Sequence, residues 1–169
     1  LLIDTAGKKQ PRPLGSASEL GDFSSDGRIL SFLGSAGGFI AYDLERNERR
    51  AIFSDSTQAN SYIVRLKLLG KNVRLMQSMS IADRKPGNEV TYNNGRSITR
   101  LYRPDSAHDI TGLSASPNSQ YAAVETASQQ NSSFDNYPVN GRNMSTRTVL
   151  IDRSGTTLRT IDGCDVVWK

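Results

Sequence analysis

The sequence predicts an all-β fold: β-propeller blades of four antiparallel strands, about three full blades with a part-blade at each end. Three observations predict it. No window of about a dozen residues keeps a helical period, and Gly and Pro punctuate the chain too often for long helices. The stretch Asp22-Phe23-Ser24-Ser25-Asp26-Gly27-Arg28-Ile29-Leu30-Ser31-Phe32 reads as strand, tight turn and strand, and a weaker copy, Ser116-Pro117-Asn118-Ser119-Gln120-Tyr121-Ala122-Ala123-Val124, lies 92 residues on. A more degraded copy, Leu68-Leu69-Gly70-Lys71-Asn72-Val73-Arg74-Leu75-Met76, sits between them. The steps therefore average about 46 residues, the length of one blade in a repeat architecture.

In the first copy Asp26-Gly27 supplies the turn, because Gly tolerates positive φ freely and Asp does so better than most residues. A second element alternates with this one: an apolar strand closed by Asp and followed by a turn. It reads as Leu2-Ile3-Asp4-Thr5-Ala6-Gly7, Ile40-Ala41-Tyr42-Asp43-Leu44, Tyr92-Asn93-Asn94-Gly95-Arg96 and Leu150-Ile151-Asp152-Arg153-Ser154-Gly155. Asn94-Gly95 is the strongest short hairpin motif in the chain. If the strands of a unit are a to d, the Asp-Gly stretch joins a to b and the Asp-closed strand is c. Residues 1–15 then supply c and d. Full units follow at 19–55, 61–103 and 110–162, and 165–169 open another strand a. Together they make a single domain, or a segment of one, over 1–169.

Two places stretch this pattern. Residues 125–148 lengthen the b–c connection of the last full unit. They are rich in Ser, Asn and Gln and contain Phe134-Asp135-Asn136-Tyr137-Pro138. Long loops in compact domains are usually functional or disordered. Phe134 and Tyr137 are either exposed recognition residues or anchors that pin the loop. Residues 80–88, with Asp83-Arg84-Lys85-Pro86-Gly87, read as a polar b–c turn of the middle unit.

Composition bounds the rest. With 36% hydrophobic and 22% charged residues, the chain has the make-up of a globular domain rather than a disordered one. No apolar run approaches the roughly 18 to 20 residues that span a bilayer. The chain opens without Met inside a strand-like stretch and shows no signal peptide, which reads as a processed or truncated chain. The net charge of +4 is uneven: nine Lys or Arg lie between Arg65 and Arg103 against Asp83 and Glu89. That face either steers anionic partners or is an ordinary solvated surface. The one cysteine, Cys164, allows no internal disulfide and reads as a semi-buried small residue, with a reactive thiol as the alternative.

The residues Phe23-Ser24-Ser25-Asp26-Gly27-Arg28-Ile29-Leu30-Ser31-Phe32 resemble the repeat of TolB-like, WD-repeat-like propellers, whose pattern is an apolar residue, Ser-Pro-Asp-Gly, a basic residue, an apolar pair and a strand. Phe39-Ile40-Ala41-Tyr42-Asp43-Leu44 looks like strand c of that repeat. Ser116-Pro117-Asn118-Ser119 matches with Asn and Ser in place of Asp and Gly, and the middle unit has neither Ser-Pro nor Asp-Gly. The resemblance implies a propeller, an extracytoplasmic (periplasmic or secreted) location and an interaction role. It supplies no catalytic residues. Such propellers usually have six or seven blades. The chain is therefore a segment of a longer propeller, one half of a homo-oligomer that completes the ring, or a small ring closed by its own ends.

Candidate chemistry is sparse. His108-Asp109, near Ser106 and Ser114, is the only His–carboxylate pair, and a hydrolytic triad needs convergence in space that sequence proximity does not give. Gly112-Leu113-Ser114-Ala115-Ser116 falls one residue short of a nucleophile elbow and reads as strand a. Gly34-Ser35-Ala36-Gly37-Gly38 is followed by a strand, where a phosphate cradle requires a helix, so it reads as a b–c hairpin turn. Asp22 and Asp26 are the only hint of a cation site. Asn131-Ser132-Ser133 and Asn143-Met144-Ser145 are formal glycosylation sequons. Tyr62, Tyr92 and Tyr102 lie in the basic unit, where blade packing is a better use for the last two than base stacking. The reading is thus a non-enzymatic scaffold for protein–protein interaction, without cofactor, metal or nucleic acid. Its partner contacts come from Phe134, Asp135, Asn136 and Tyr137, with Arg84 and Lys85 as a second surface. The alternative is an accessory propeller of a secreted hydrolase or peptidase whose catalytic domain lies outside this chain.

Overall fold

The computed structural model describes residues 6–8, 10–11, 13–14, 17–19, 22–24, 26–34, 38–52, 61–70, 73–82, 85–128 and 146–168. Their strands form three four-stranded antiparallel meanders. The first sheet holds β1 (Ala17–Glu19), β2 (Ile29–Gly34), β3 (Phe39–Asp43) and β4 (Glu48–Ile52). The second holds β5 (Ser61–Leu68), β6 (Arg74–Ala82), β7 (Lys85–Asn93) and β8 (Ile98–Tyr102). The third holds β9 (His108–Ala115), β10 (Tyr121–Ser128), β11 (Thr146–Asp152) and β12 (Thr157–Asp162). The sheets stand side by side, with β5 touching β2 on one flank and β9 on the other. These are blades of a β-propeller, and the described sheets form an arc that does not close into a ring.

The turns form where short polar side chains can satisfy the turn backbone. In the first a–b turn the Ser24 hydroxyl donates to Asp26 Oδ1 (2.5 Å) and accepts from the Ile29 amide (2.9 Å). Asp26 Oδ1 also accepts from the Arg28 amide (3.1 Å), and Gly27 takes φ +69°. In the c–d turns Asp43 accepts from the amides of Glu45 and Arg46, Asn94 from those of Arg96 and Ser97, and Asp152 from those of Ser154 and Thr156. The Ser154 hydroxyl also donates to Asp152 (2.6 Å) and is the largest influence on it. These bonds favour the ionised carboxylate, so Asp26, Asp43 and Asp152 are held below the ordinary Asp value.

Packing between blades supplies the core. Ile29, Ala41 and Ile52 of the first sheet meet Leu66, Leu68 and Met76 of the second. On the other face of the second sheet, Leu75, Val90 and Leu101 meet Ile110, Leu113, Ala122, Val124, Val149 and Ile151 of the third. Val90, Val124 and Ile151 are wholly buried, and each such side chain stabilises the fold by about 1.5–3 kcal/mol. The third sheet also presses its c–d turn onto β8. A Cβ at Gly155 would lie 2.9 Å from the Leu101 carbonyl oxygen, and φ there is +86°, so only glycine fits.

Flanking chain touches both outer faces of the arc. Leu14 packs with Phe32 and Tyr42 on the free face of the first sheet. On the third sheet the Thr148 hydroxyl donates to the Gly163 carbonyl (2.8 Å), the Asp165 amide to Glu125 Oε1 (2.8 Å) and the Trp168 indole to Ser114 Oγ (3.0 Å). The described parts of 6–14 and 163–168 carry no strand.

The structure shifts two sequence boundaries. Residues 80–88 are not simply a polar turn: β6 and β7 stay paired out to Ala82 opposite Lys85, with Pro86 opposite Ile81. This ribbon runs past the last paired residues of its neighbours, Ser61 on β5 and Tyr102 on β8. At the end of a ladder a proline removes little pairing. The long b–c connection is likewise shorter than 125–148, because Glu125 pairs with Thr148 and Ala127 with Thr146. Residues 129–145 lie outside the described residues. Among the described residues no helix is long and apolar enough to cross a membrane.

Candidate interaction surface

The arc has two rims. Arg153, in the c–d turn of the third sheet, donates to the Ser119 carbonyl in the a–b turn (2.7 Å) and stacks 5.8 Å from the Tyr92 ring, beside the c–d turn of the second sheet. The a–b and c–d turns therefore gather on one rim. The b–c hairpins emerge on the other, where β6 ends and β7 begins, and where β10 ends at Ser128 and β11 begins at Thr146. Of the residues expected to contact a partner, Phe134, Asp135, Asn136, Tyr137 and Arg84 lie outside the described residues. Lys85 opens β7 on the b–c rim.

The candidate catalytic and metal groups are held apart in structural roles. His108 opens β9 and is half-buried. Its Nδ1 lies 2.6 Å from Asp105 Oδ1, three residues back, so its carboxylate partner is Asp105 and not the adjacent Asp109. That contact and the Ala107 amide hold Asp105 below the ordinary Asp value. Ser114 is six residues along the same strand, about 20 Å away at strand rise, and its hydroxyl accepts from Trp168. His108, Ser114 and a carboxylate do not converge. Asp22 pairs with Lys67, and Asp26 is committed to its turn, so the two acids do separate work. Gly34 and Gly38 close the b–c hairpin of the first sheet through a 2.8 Å backbone bond. Cys164, expected to be semi-buried, is exposed, since the third sheet's edge is complete before it.

Two polar constellations escaped the sequence reading. The first lies on the inner strands. Arg65 Nη1 donates to Gln77 Oε1 (2.6 Å), and Gln77 Nε2 donates to Asn88 Oδ1 (3.0 Å) and to the Ile110 carbonyl of the third sheet (3.3 Å). Gln77 is 1% exposed, so this network satisfies a buried amide while tying two blades together. Nearby, burial pushes the Lys67 ammonium below its ordinary value, with Asp22 of the first sheet as its ion-pair partner.

The second is a groove of about 530 Å³ between the first and second sheets, on the a–b and c–d rim. Arg50 lines it from β4, Arg74 from β6, and Asn93, Arg96, Ser97 and Ile98 from the β7–β8 hairpin. Arg50 pairs with Ala41 and Arg74 with Leu68, so both point into the space between the blades. Counting basic residues by sequence window could flag Arg74 and Arg96, but it could not bring in Arg50, which belongs to the preceding unit.

No family model and no curated protein matches the chain. Among solved structures it is similar to an oligogalacturonate lyase from Vibrio parahaemolyticus, with 11% identity and a TM-score of 0.50, over 85% of this chain and 39% of that one. It is also similar to a protein assigned as TolB from Agrobacterium tumefaciens, with 15% identity and a TM-score of 0.49, over 89% of this chain and 52% of that one. The chain thus spans between two fifths and about half of these structures' lengths. At such identities the likeness concerns fold, and the lyase, as a propeller, agrees with the arc of blades described above.

Proposed function

We propose that the chain is a non-enzymatic β-propeller scaffold that engages a protein partner at its b–c rim. The observation that best supports this reading is that both stretched connections leave from that rim. The β6–β7 ribbon projects past its neighbours there, and the connection carrying Phe134 and Tyr137 leaves from Ser128 and returns at Thr146. A scaffold of blades beneath such connections limits the ordering cost of binding, and aromatic side chains supply most of the contact energy in such interfaces. The engagement of His108 with Asp105, of Ser114 with Trp168 and of Asp22 with Lys67 in holding the fold agrees with a role in binding. The resemblance to the TolB-like repeat suggests that this role is exercised outside the cytoplasm.

The test is a tagged chain cross-linked to its partner in its own host, compared with the double variant Phe134→Ala/Tyr137→Ala. Partner recovery should fall about tenfold or more while the melting temperature stays unchanged. A collapse of stability would make the two aromatics a structural anchor. Unchanged recovery would remove the connection from the interface.

A further inference from the structure

The groove between the first two sheets lies on the opposite rim from the b–c connections and has a different chemistry. Three arginines, Arg50, Arg74 and Arg96, line it from two blades, together with Asn93 and Ser97. None of the described residues that line it is acidic. Arg50 and Arg74 also take part in interactions within the fold.

We propose that this groove binds an acidic peptide segment. Guanidinium forks match carboxylates in a planar, two-bonded geometry that lysine cannot reproduce, which fits a recess lined by arginines. Ile98, 50% exposed at the groove's edge, supplies an apolar contact suited to a peptide side chain. None of the described residues that line the recess is aromatic. Single-stranded nucleic acid needs such platforms for its bases, so peptide carboxylates fit the groove better than a phosphate polymer does.

Binding is measured by fluorescence anisotropy with labelled hexaglutamate, with hexalysine and an oligothymidylate of equal charge as comparisons. Wild-type chain should bind hexaglutamate, lose affinity as salt rises, and ignore hexalysine. Arg50 and Arg96 are both exposed, so Arg50→Gln/Arg96→Gln should keep the melting temperature while weakening hexaglutamate about tenfold or more. Arg159→Gln, on the outer strand of the third sheet, should leave binding unchanged. If the double variant fails to fold, Arg96→Gln alone carries the test, with a fall of about threefold or more expected. The proposal is overturned by absence of hexaglutamate binding, by binding that survives these groove substitutions, by equal weakening in Arg159→Gln, or by tighter binding of the oligothymidylate.

Discussion

The first and last a–b turns make the same hydrogen bonds with different residues. In the first, Ser24 Oγ donates to Asp26 and accepts from the Ile29 amide, and the Gly27 amide donates to the Ser24 carbonyl (2.8 Å). In the last, Ser116 Oγ donates to Asn118 (2.8 Å) and accepts from the Tyr121 amide (3.0 Å), and the Ser119 amide donates to the Ser116 carbonyl (2.8 Å). Gly27 has φ +69° and Ser119 has φ +58°. The repeat therefore conserves a geometry in which serine is the hub, with an oxygen acceptor two residues on and a left-handed residue after it. Whether that acceptor is charged, and whether the left-handed residue has a Cβ, are free to vary.

The hub should matter most. Ser24 and Ser116 are 3% and 5% exposed, so Ser24→Ala and Ser116→Ala each leave a turn amide without its partner. Each should cost about 1–3 kcal/mol in urea unfolding. A large difference between the two would break the equivalence of the turns.

The left-handed position comes next. Gly27→Ser should destabilise by about 1 kcal/mol. Nothing lies within 4 Å of the added Cβ, so the cost is backbone strain alone. Ser119→Gly should stabilise by less than that, about 0.5 kcal/mol, because relief of strain is offset by a more flexible unfolded chain. Thermal melts of the pair read the two signs directly.

The smallest effect separates the turns by charge. Asp26 is held below the ordinary Asp value by the Ser24 hydroxyl and the Arg28 amide. The folded chain thus takes up this proton less readily than the unfolded chain. The contribution is fully present above the ordinary Asp value, about 3.9, and is lost as pH falls through the lower folded value. Asp26→Asn should flatten part of the acid limb of melting temperature against pH. Asn118→Asp should steepen it.

Much of the fold was legible because each turn states its chemistry locally. Asp26-Gly27, Asp43 and Asn94-Gly95 mark turns whose bonds join neighbours in sequence. The blade pattern could be followed even through Leu68 to Met76, where the Leu69 amide donates to the Val73 carbonyl (2.8 Å). The ribbon at residues 80–88 was misread because polarity indicates solvent, and a strand can continue into solvent. His108 was matched with its sequence neighbour Asp109, although strand geometry sends adjacent side chains to opposite faces. The Gln77 network and the arginine groove join different blades, so no local pattern could announce them.

The second blade departs furthest from the repeat, yet it is the one flanked on both sides, by β2 against β5 and by β5 against β9. In repeat architectures each unit is held by its neighbours, and this sheet is packed against another on each of its faces. A worn a–b turn costs least where flanking sheets fix the strands that it joins.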